Sequence, residues 1–157
     1  MKEINNPFTG QDGYNCFGCS QENRFGLKLK FFEEGEEIVS FWEPKKEFQG
    51  WKNVLHGGIQ ATLMDEIASW VAFVKMGTVG VTYRLSVRYM KPVYMDTGTI
   101  TLRAGIKGMK RNIAEIAVSL SDGSGKLCSE GVIDYFLFPE EKARKDMFYP
   151  GKEAFDG

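Results

Sequence analysis

Histidine is almost absent from this chain: His56 is the only one among 157 residues, so neither a catalytic triad drawing on two histidines nor a multi-histidine metal centre can form within one subunit. Cysteine is scarce as well. Cys16, Cys19 and Cys128 are an odd number and too few to staple a small secreted fold, which fits a reducing compartment. No stretch approaches the roughly 18 consecutive apolar residues that a membrane span needs, and Met1-Lys2-Glu3 opens a polar stretch without the apolar core of a secretory signal. The expectation is a cytoplasmic protein with no membrane partner. Charge of one sign is also missing: 20 Lys and Arg against 21 Asp and Glu leave a formal net charge of -1, which offers nucleic acid no general electrostatic attraction.

The remainder is the composition of a globular domain, 43% hydrophobic and 13% aromatic, at a length suited to one core. Residues 1–26, rich in Asn, Gly and Gln without periodicity, read as an irregular N-terminal arm. Leu27-Lys28-Leu29-Lys30-Phe31 alternates as a half-buried strand does, Glu33-Glu34-Gly35-Glu36 turns, and Ile38-Val39-Ser40-Phe41-Trp42 returns as the second strand of a hairpin. From Gly57 to about Lys75, Ile59, Leu63, Ile67, Trp70 and Val74 recur at spacings of three and four, which predicts a long helix that Gly77 stops. Four strand-like runs follow, near 81–90, 98–107, 112–121 and 127–138, with turn signals at 96–98, 108–111 and 122–125 that predict an antiparallel meander. Residues 139–157 read as a polar tail docked through Phe148 and Tyr149. The economical packing is α+β, with the sheet wrapped around the helix.

The helix carries the chemistry. His56-Gly57-Gly58 stands at its start, where free backbone N–H groups and the helix dipole can bind a developing oxyanion. Asp65 falls outside the apolar arc, among Gly58, Ala61, Thr62, Ala68, Ser69 and Ala72, small residues that permit close approach of a ligand or a second backbone. This face is read as an interface or a wall of a site, with Asp65 as a solvated surface charge the alternative. Glu66 projects near the edge of the apolar arc and is either a second buried carboxylate or one that caps a strand end or reaches water. His56 either anchors the loop by hydrogen bonds or touches substrate. Gly57 and Asp65 lie roughly 12 Å apart along one helix, too far for one reacting carbonyl. If both act on it, they come from two subunits whose helices run antiparallel across a two-fold axis, each dimer holding two sites.

Other clusters say less. Cys16-Phe17-Gly18-Cys19 has the spacing of half a zinc knuckle, but Cys128 is the only other thiol and His56 is committed to the helix start. Packed loop cysteines are the favoured reading over a zinc site completed across a dimer. Arg84, Arg88, Lys91, Lys107, Lys110 and Arg111 gather on the strand after the helix and the next hairpin, as either an anion site or a solvated sheet face, with no Gly-rich phosphate loop beside them.

The segment from His56 through Asp65, followed by Val81-Thr82 and Tyr89-Met90-Lys91-Pro92, resembles the PaaI-like acyl-CoA thioesterases of the hot-dog superfamily over residues 27–138. Cys16-Phe17-Gly18-Cys19 with Asn23 and Gly26-Leu27 is similar to an arm found in some members. The resemblance implies a hot-dog fold, an antiparallel sheet of five to six strands around one long central helix, assembled as homodimers and often as dimers of dimers. It implies hydrolysis of an acyl-CoA to a carboxylic acid and coenzyme A without a metal or other cofactor. Asp65 would be base or nucleophile, Gly57 the carbonyl-polarising N–H with Gly58 beside it, His56 the loop support and Thr82 the residue that orients water. Arg88, Lys107, Lys110 and Arg111 would meet the nucleotide of coenzyme A. Members often carry Asn or Gln six residues before the histidine. This chain has Gly50 there, so Gln49 or Asn53 would take that role. A non-catalytic acyl-CoA-binding or regulatory module on the same fold is the competing reading.

Overall fold

The computed structural model describes residues 1–157. One antiparallel sheet of seven strands curves around one long helix. The strands are β1 (Lys2–Glu3), β2 (Phe32–Glu34), β3 (Glu37–Trp42), β4 (Gly80–Tyr89), β5 (Ile100–Lys110), β6 (Ile113–Ser121) and β7 (Leu127–Leu137), in the spatial order β1-β2-β3-β5-β6-β7-β4. Helix α1 spans Gly57–Val71 and continues as a π-helical turn, Ala72–Met76, until Gly77 takes the left-handed conformation at φ 68. No helix is long and apolar enough to cross a membrane.

The face of α1 expected to meet the sheet does so. Leu63, Met64, Ile67, Trp70, Val71 and Val74 are buried against Ile38, Ile100, Leu102, Ile116, Leu120 and Ile133 from the strands, and Ile59 is partly buried at the start of the helix. Ala68 and Ala72, on the small-residue side, are buried as well. Leu63 has no exposed surface, so Leu63→Ala removes apolar contact and leaves a void under the sheet. It is expected to lower unfolding free energy by about 2–5 kcal/mol, read as a lower urea midpoint at unchanged slope. An unchanged midpoint would mean that the helix does not pack there.

The structure corrects several expectations. There are seven strands, because the arm contributes β1, which pairs with β2 through Lys2↔Glu33 and Glu3↔Phe32. Residues 27–31 are not a strand of the sheet. Lys28 sits at φ 56, and the segment's amides bond to the arm instead: Leu27 N–H donates to Phe17 O at 2.8 Å and Leu29 N–H to Gly18 O at 2.9 Å. The alternation still buries Leu27, Leu29 and Phe31, because it records which side faces the core and not which backbone is the partner. The four-strand meander is also wrong in one connection. β5, β6 and β7 are consecutive hairpin neighbours, but β4 pairs with β7, and residues 90–99 carry the chain across to β3. The turn signal at 96–98 is real: a single 3-10 turn at Met95–Thr97 ends in Gly98 at φ 106, but it belongs to a crossover.

Residues 139–157 are ordered by aromatic packing. Helix α2 (Glu140–Asp146) buries Ala143, and Tyr149 and Phe155 are buried while Phe148 is exposed, so Phe148 is not the docking residue. Phe155 packs with its ring centroid 5.6 Å from Trp70, 5.8 Å from Phe73 and 5.7 Å from Phe8 of the arm, and Tyr149 donates to Phe73 O at 2.7 Å. Both ends of the chain therefore close over the C-terminal half of the central helix.

Candidate active site

His56 is the N-cap of α1, a position usually held by Ser, Thr, Asp or Asn. Its Nδ1 accepts from Gly58 N–H at 2.9 Å, leaving the ring proton on Nε2, and its carbonyl accepts from the N–H groups of Ile59 and Gln60 at 3.0 Å each. The Gly58 donor foreseen for substrate is therefore taken. Gly57 N–H is the donor of this first turn that has no acceptor within the chain. Tyr89, at the end of β4, donates to Gly57 O at 2.7 Å and holds the peptide in place, and burial raises the Tyr89 pKa, which keeps the phenol a donor.

Gly57 opens on a recess of ≈ 760 Å³ lined by Gln49, Gly50, Trp51, His56, Tyr89 and Lys91, among others. A Cβ at Gly50 would lie 3.2 Å from His56 Cα, so the absence of a side chain there allows the 46–50 segment to run against the N-cap. Gln49 lines the recess, and its Oε1 accepts from Asn53 N–H at 2.8 Å. Asn53 is a turn residue, at φ 61, and does not line the recess. Of the two polar residues considered for the place of Gly50, only Gln49 borders the recess.

Asp65 is not in this recess. Two turns further along α1, its Oδ1 accepts from Thr82 Oγ1 at 2.9 Å and lies 2.6 Å from the Tyr135 hydroxyl, which is equally close to Asp65 O. Thr82 and Tyr135 are register partners of β4 and β7. A bulge between Thr82 and Arg84 changes the phase of β4, so Thr82 faces the helix while Arg84 stands opposite Asp134 on the other side of the sheet. Burial, reinforced by the Asp65 charge, raises the Tyr135 pKa strongly, so this phenol remains a hydrogen-bond donor. Tyr135 was not among the residues singled out from the sequence; finding it requires knowing that β4 pairs with β7. A hydrogen bond to a charged group contributes about 1.5–3 kcal/mol. Tyr135→Phe is accordingly expected to lower kcat at least tenfold with the fold retained, and wild-type kcat in that variant would remove Tyr135 from the site.

The cations do not form one patch. Arg88 and Lys107 border a ≈ 1160 Å³ groove on the outer face of the sheet, where Arg88 pairs with Glu130 at 3.6 Å. Lys110, 3.8 Å from Glu115, and Arg111, at φ 57, sit at the β5–β6 hairpin. The cation beside Gly57 is Lys91.

One helix thus presents an open backbone donor and a positioned carboxylate at separate places. β4 borders both, through Tyr89 at one end and Thr82 at the other, and it is an edge strand, paired with β7 on one side only, with Val81, Tyr83, Leu85 and Tyr89 exposed. Comparison with known proteins agrees with this architecture. A Streptococcus mutans protein solved with acetyl CoA has a TM-score of 0.63 at 19% identity, over 70% of this chain and 88% of its own. Zebrafish thioesterase superfamily member 2 gives 0.62 at 24% identity, over 71% and 82%. In sequence, a Thermoplasma acidophilum protein named as a candidate esterase is 24% identical over 134 residues, 83% of this chain and 98% of its own. The model of the thioesterase superfamily matches residues 52–129, the stretch that contains His56, Gly57, Asp65 and Thr82. With its antiparallel sheet closed around one long helix and that segment at its centre, the chain belongs to the thioesterase superfamily and has the hot-dog fold.

Proposed function

We propose that this protein is a PaaI-like acyl-CoA thioesterase whose active site is assembled from two subunits. The family supports thioester hydrolysis as the reaction class. The observation that carries the finer reading is the separation of an unengaged Gly57 N–H from a carboxylate held by Thr82 and Tyr135, on one helix along one open edge strand. A two-fold axis through the middle of β4 lays the Thr82 end of one strand against the Tyr89 end of the other. Asp65 then approaches Gly57 of the partner subunit, and the exposed apolar residues of β4 become covered.

At such a site the thioester carbonyl accepts from Gly57 N–H at the positive end of α1, which stabilises the oxyanion. Asp65 takes a proton from water as its oxygen bonds to the carbonyl carbon, with Thr82 fixing the carboxylate. Collapse breaks the C–S bond, and the proton leaves with the sulfur of coenzyme A. Lys91 at the recess, and Arg88 and Lys107 on the outer face, are the cations available to the nucleotide phosphates.

The test is release of free thiol from acetyl-, phenylacetyl- and medium-chain acyl-CoAs. Turnover of at least one of them is expected. Saturable binding of acyl-CoA without turnover of any would replace this reading with that of a binding module.

A further inference from the structure

A third group of reactive side chains lies outside both halves of that site, where the N-terminal arm docks on α1. The Cys16 and Cys19 sulfurs and a carboxylate oxygen of Glu66 all lie within 4.8 Å of one another. Cys16 Sγ is 3.4 Å from Glu66 Oε1, which also accepts from Trp70 Nε1 at 3.3 Å, and Cys19 Sγ is 3.0 Å from the Tyr14 hydroxyl. Gly18, between the two cysteines, is pressed onto the carboxyl: a Cβ there would fall 2.3 Å from Glu66 Cδ. The arm is thus shaped around this one acidic side chain of the central helix.

The cluster is acidic and no cation attends it. The adjoining recess of ≈ 420 Å³ is lined by Tyr14, Cys16, Cys19, Glu66 and eight further residues, none of them Lys, Arg or His. Two thiols and a carboxyl group gathered in a partly buried place with no cation in reach form a donor set suited to a zinc ion. Ligand distances of about 2.3 Å for Zn–S and 2.0–2.2 Å for Zn–O imply tetrahedral donor separations of about 3.6–3.8 Å. The Cys16–Glu66 contact is already close to that, and all three donor atoms lie within 4.8 Å of one another, so they need only draw together.

We propose that Cys16, Cys19 and Glu66 bind one zinc ion that clips the arm to the central helix, with the fourth coordination position facing the recess beside Tyr14. A Cys16–Cys19 disulfide would account for the thiols but give no part to Glu66, around which Gly18 and the arm are shaped. Cys128, the third cysteine, is elsewhere, on β7, where its sulfur lies 3.7 Å from Pro92 O. Glu66 follows Asp65 in sequence but points about 100° away around the helix. The ion therefore lies apart from Asp65, where it ties the arm to the helix, and the assignment stands independently of the thioesterase reading.

The test uses the full chain, reduced, stripped with a chelator and titrated with Zn²⁺ or Co²⁺. Uptake of one ion per chain is expected, with a thiolate-to-cobalt charge-transfer band, the visible spectrum of a tetrahedral site, and a Tm that rises with zinc concentration. Cys16→Ser with Cys19→Ser should abolish the band. Glu66→Gln, nearly isosteric, should weaken zinc binding by more than the roughly 10- to 100-fold that loss of an outer-shell partner causes. Failure of the reduced wild-type chain to take up either metal would overturn the proposal, as would undiminished binding by the double serine variant or by Glu66→Gln.

Discussion

Asp65→Asn is expected to slow release of coenzyme A by about 10²- to 10⁴-fold, the range that a positioned general base supplies, with little change in KM. The substitution is clean because asparagine keeps an oxygen where Oδ1 accepts from Thr82 and Tyr135. What it removes is the basic oxygen pair. The fold is expected to persist, as judged by an unchanged Tm and oligomeric state, because the side chain is only partly buried and its two donors retain their acceptor. Rates equal to wild type across the acyl-CoA panel would show that Asp65 has no part in the chemistry.

The second large effect is expected at Gly57. Proline is accepted at the first position of a helix, where its fixed φ suits the backbone and the missing N–H has no intrahelical acceptor. His56 precedes it at φ -57 and ψ 131, an extended geometry compatible with a following proline. Gly57→Pro therefore deletes the one unengaged donor and preserves α1. Loss of a single oxyanion donor typically costs about 10²- to 10³-fold in kcat. Gly57→Ala is the control: it retains the N–H, and its Cβ would meet Tyr89 Cε1 at an ordinary 3.6 Å. If alanine and proline lowered kcat equally, the loss would be steric and the N–H would have no electrostatic role. Mixing Gly57→Pro with Asp65→Asn chains tests the shared site directly. One of the two sites in each mixed dimer then combines intact Gly57 and intact Asp65, so activity should return. Continued inactivity of verified mixed dimers would place both residues in one subunit's site.

The helix was legible in the sequence because its code is local. Apolar residues three and four apart and Gly77 at the far end lie within one short segment and act as their chemistry predicts, and of the two readings of His56 the loop anchor is the one its bond to Gly58 N–H fits. The position of Asp65 outside the apolar arc was legible for the same reason. Strand partners are another matter. Alternation marks the inward side of residues 27–31 but does not say which backbone lies alongside, and the bulge between Thr82 and Arg84 shifts its phase within β4, so the crossover at 90–99 and the contact between Asp65 and Tyr135 went unseen. Glu66 was recognised as out of place in an apolar helix, yet its partners come from residues 14–19, about fifty positions earlier, in a stretch without periodicity. In the C-terminal residues Tyr149 docks as its aromatic ring suggests and Phe148 does not, while the short helix and the contacts of Phe155 were hidden by a composition in which charge dominates.

Long exposed edge strands are hazardous, and proteins ordinarily blunt them with proline, inward charges or a covering loop. β4 has ten residues, no proline, and apolar side chains open to solvent. In the two-subunit site proposed above the usual remedies are closed off: anything that stops β4 from joining another strand would also keep one subunit's Asp65 away from its partner's Gly57. On that reading, engineering a soluble monomer would trade away turnover, and the residues of this edge would be constrained twice, once against aggregation and once for assembly.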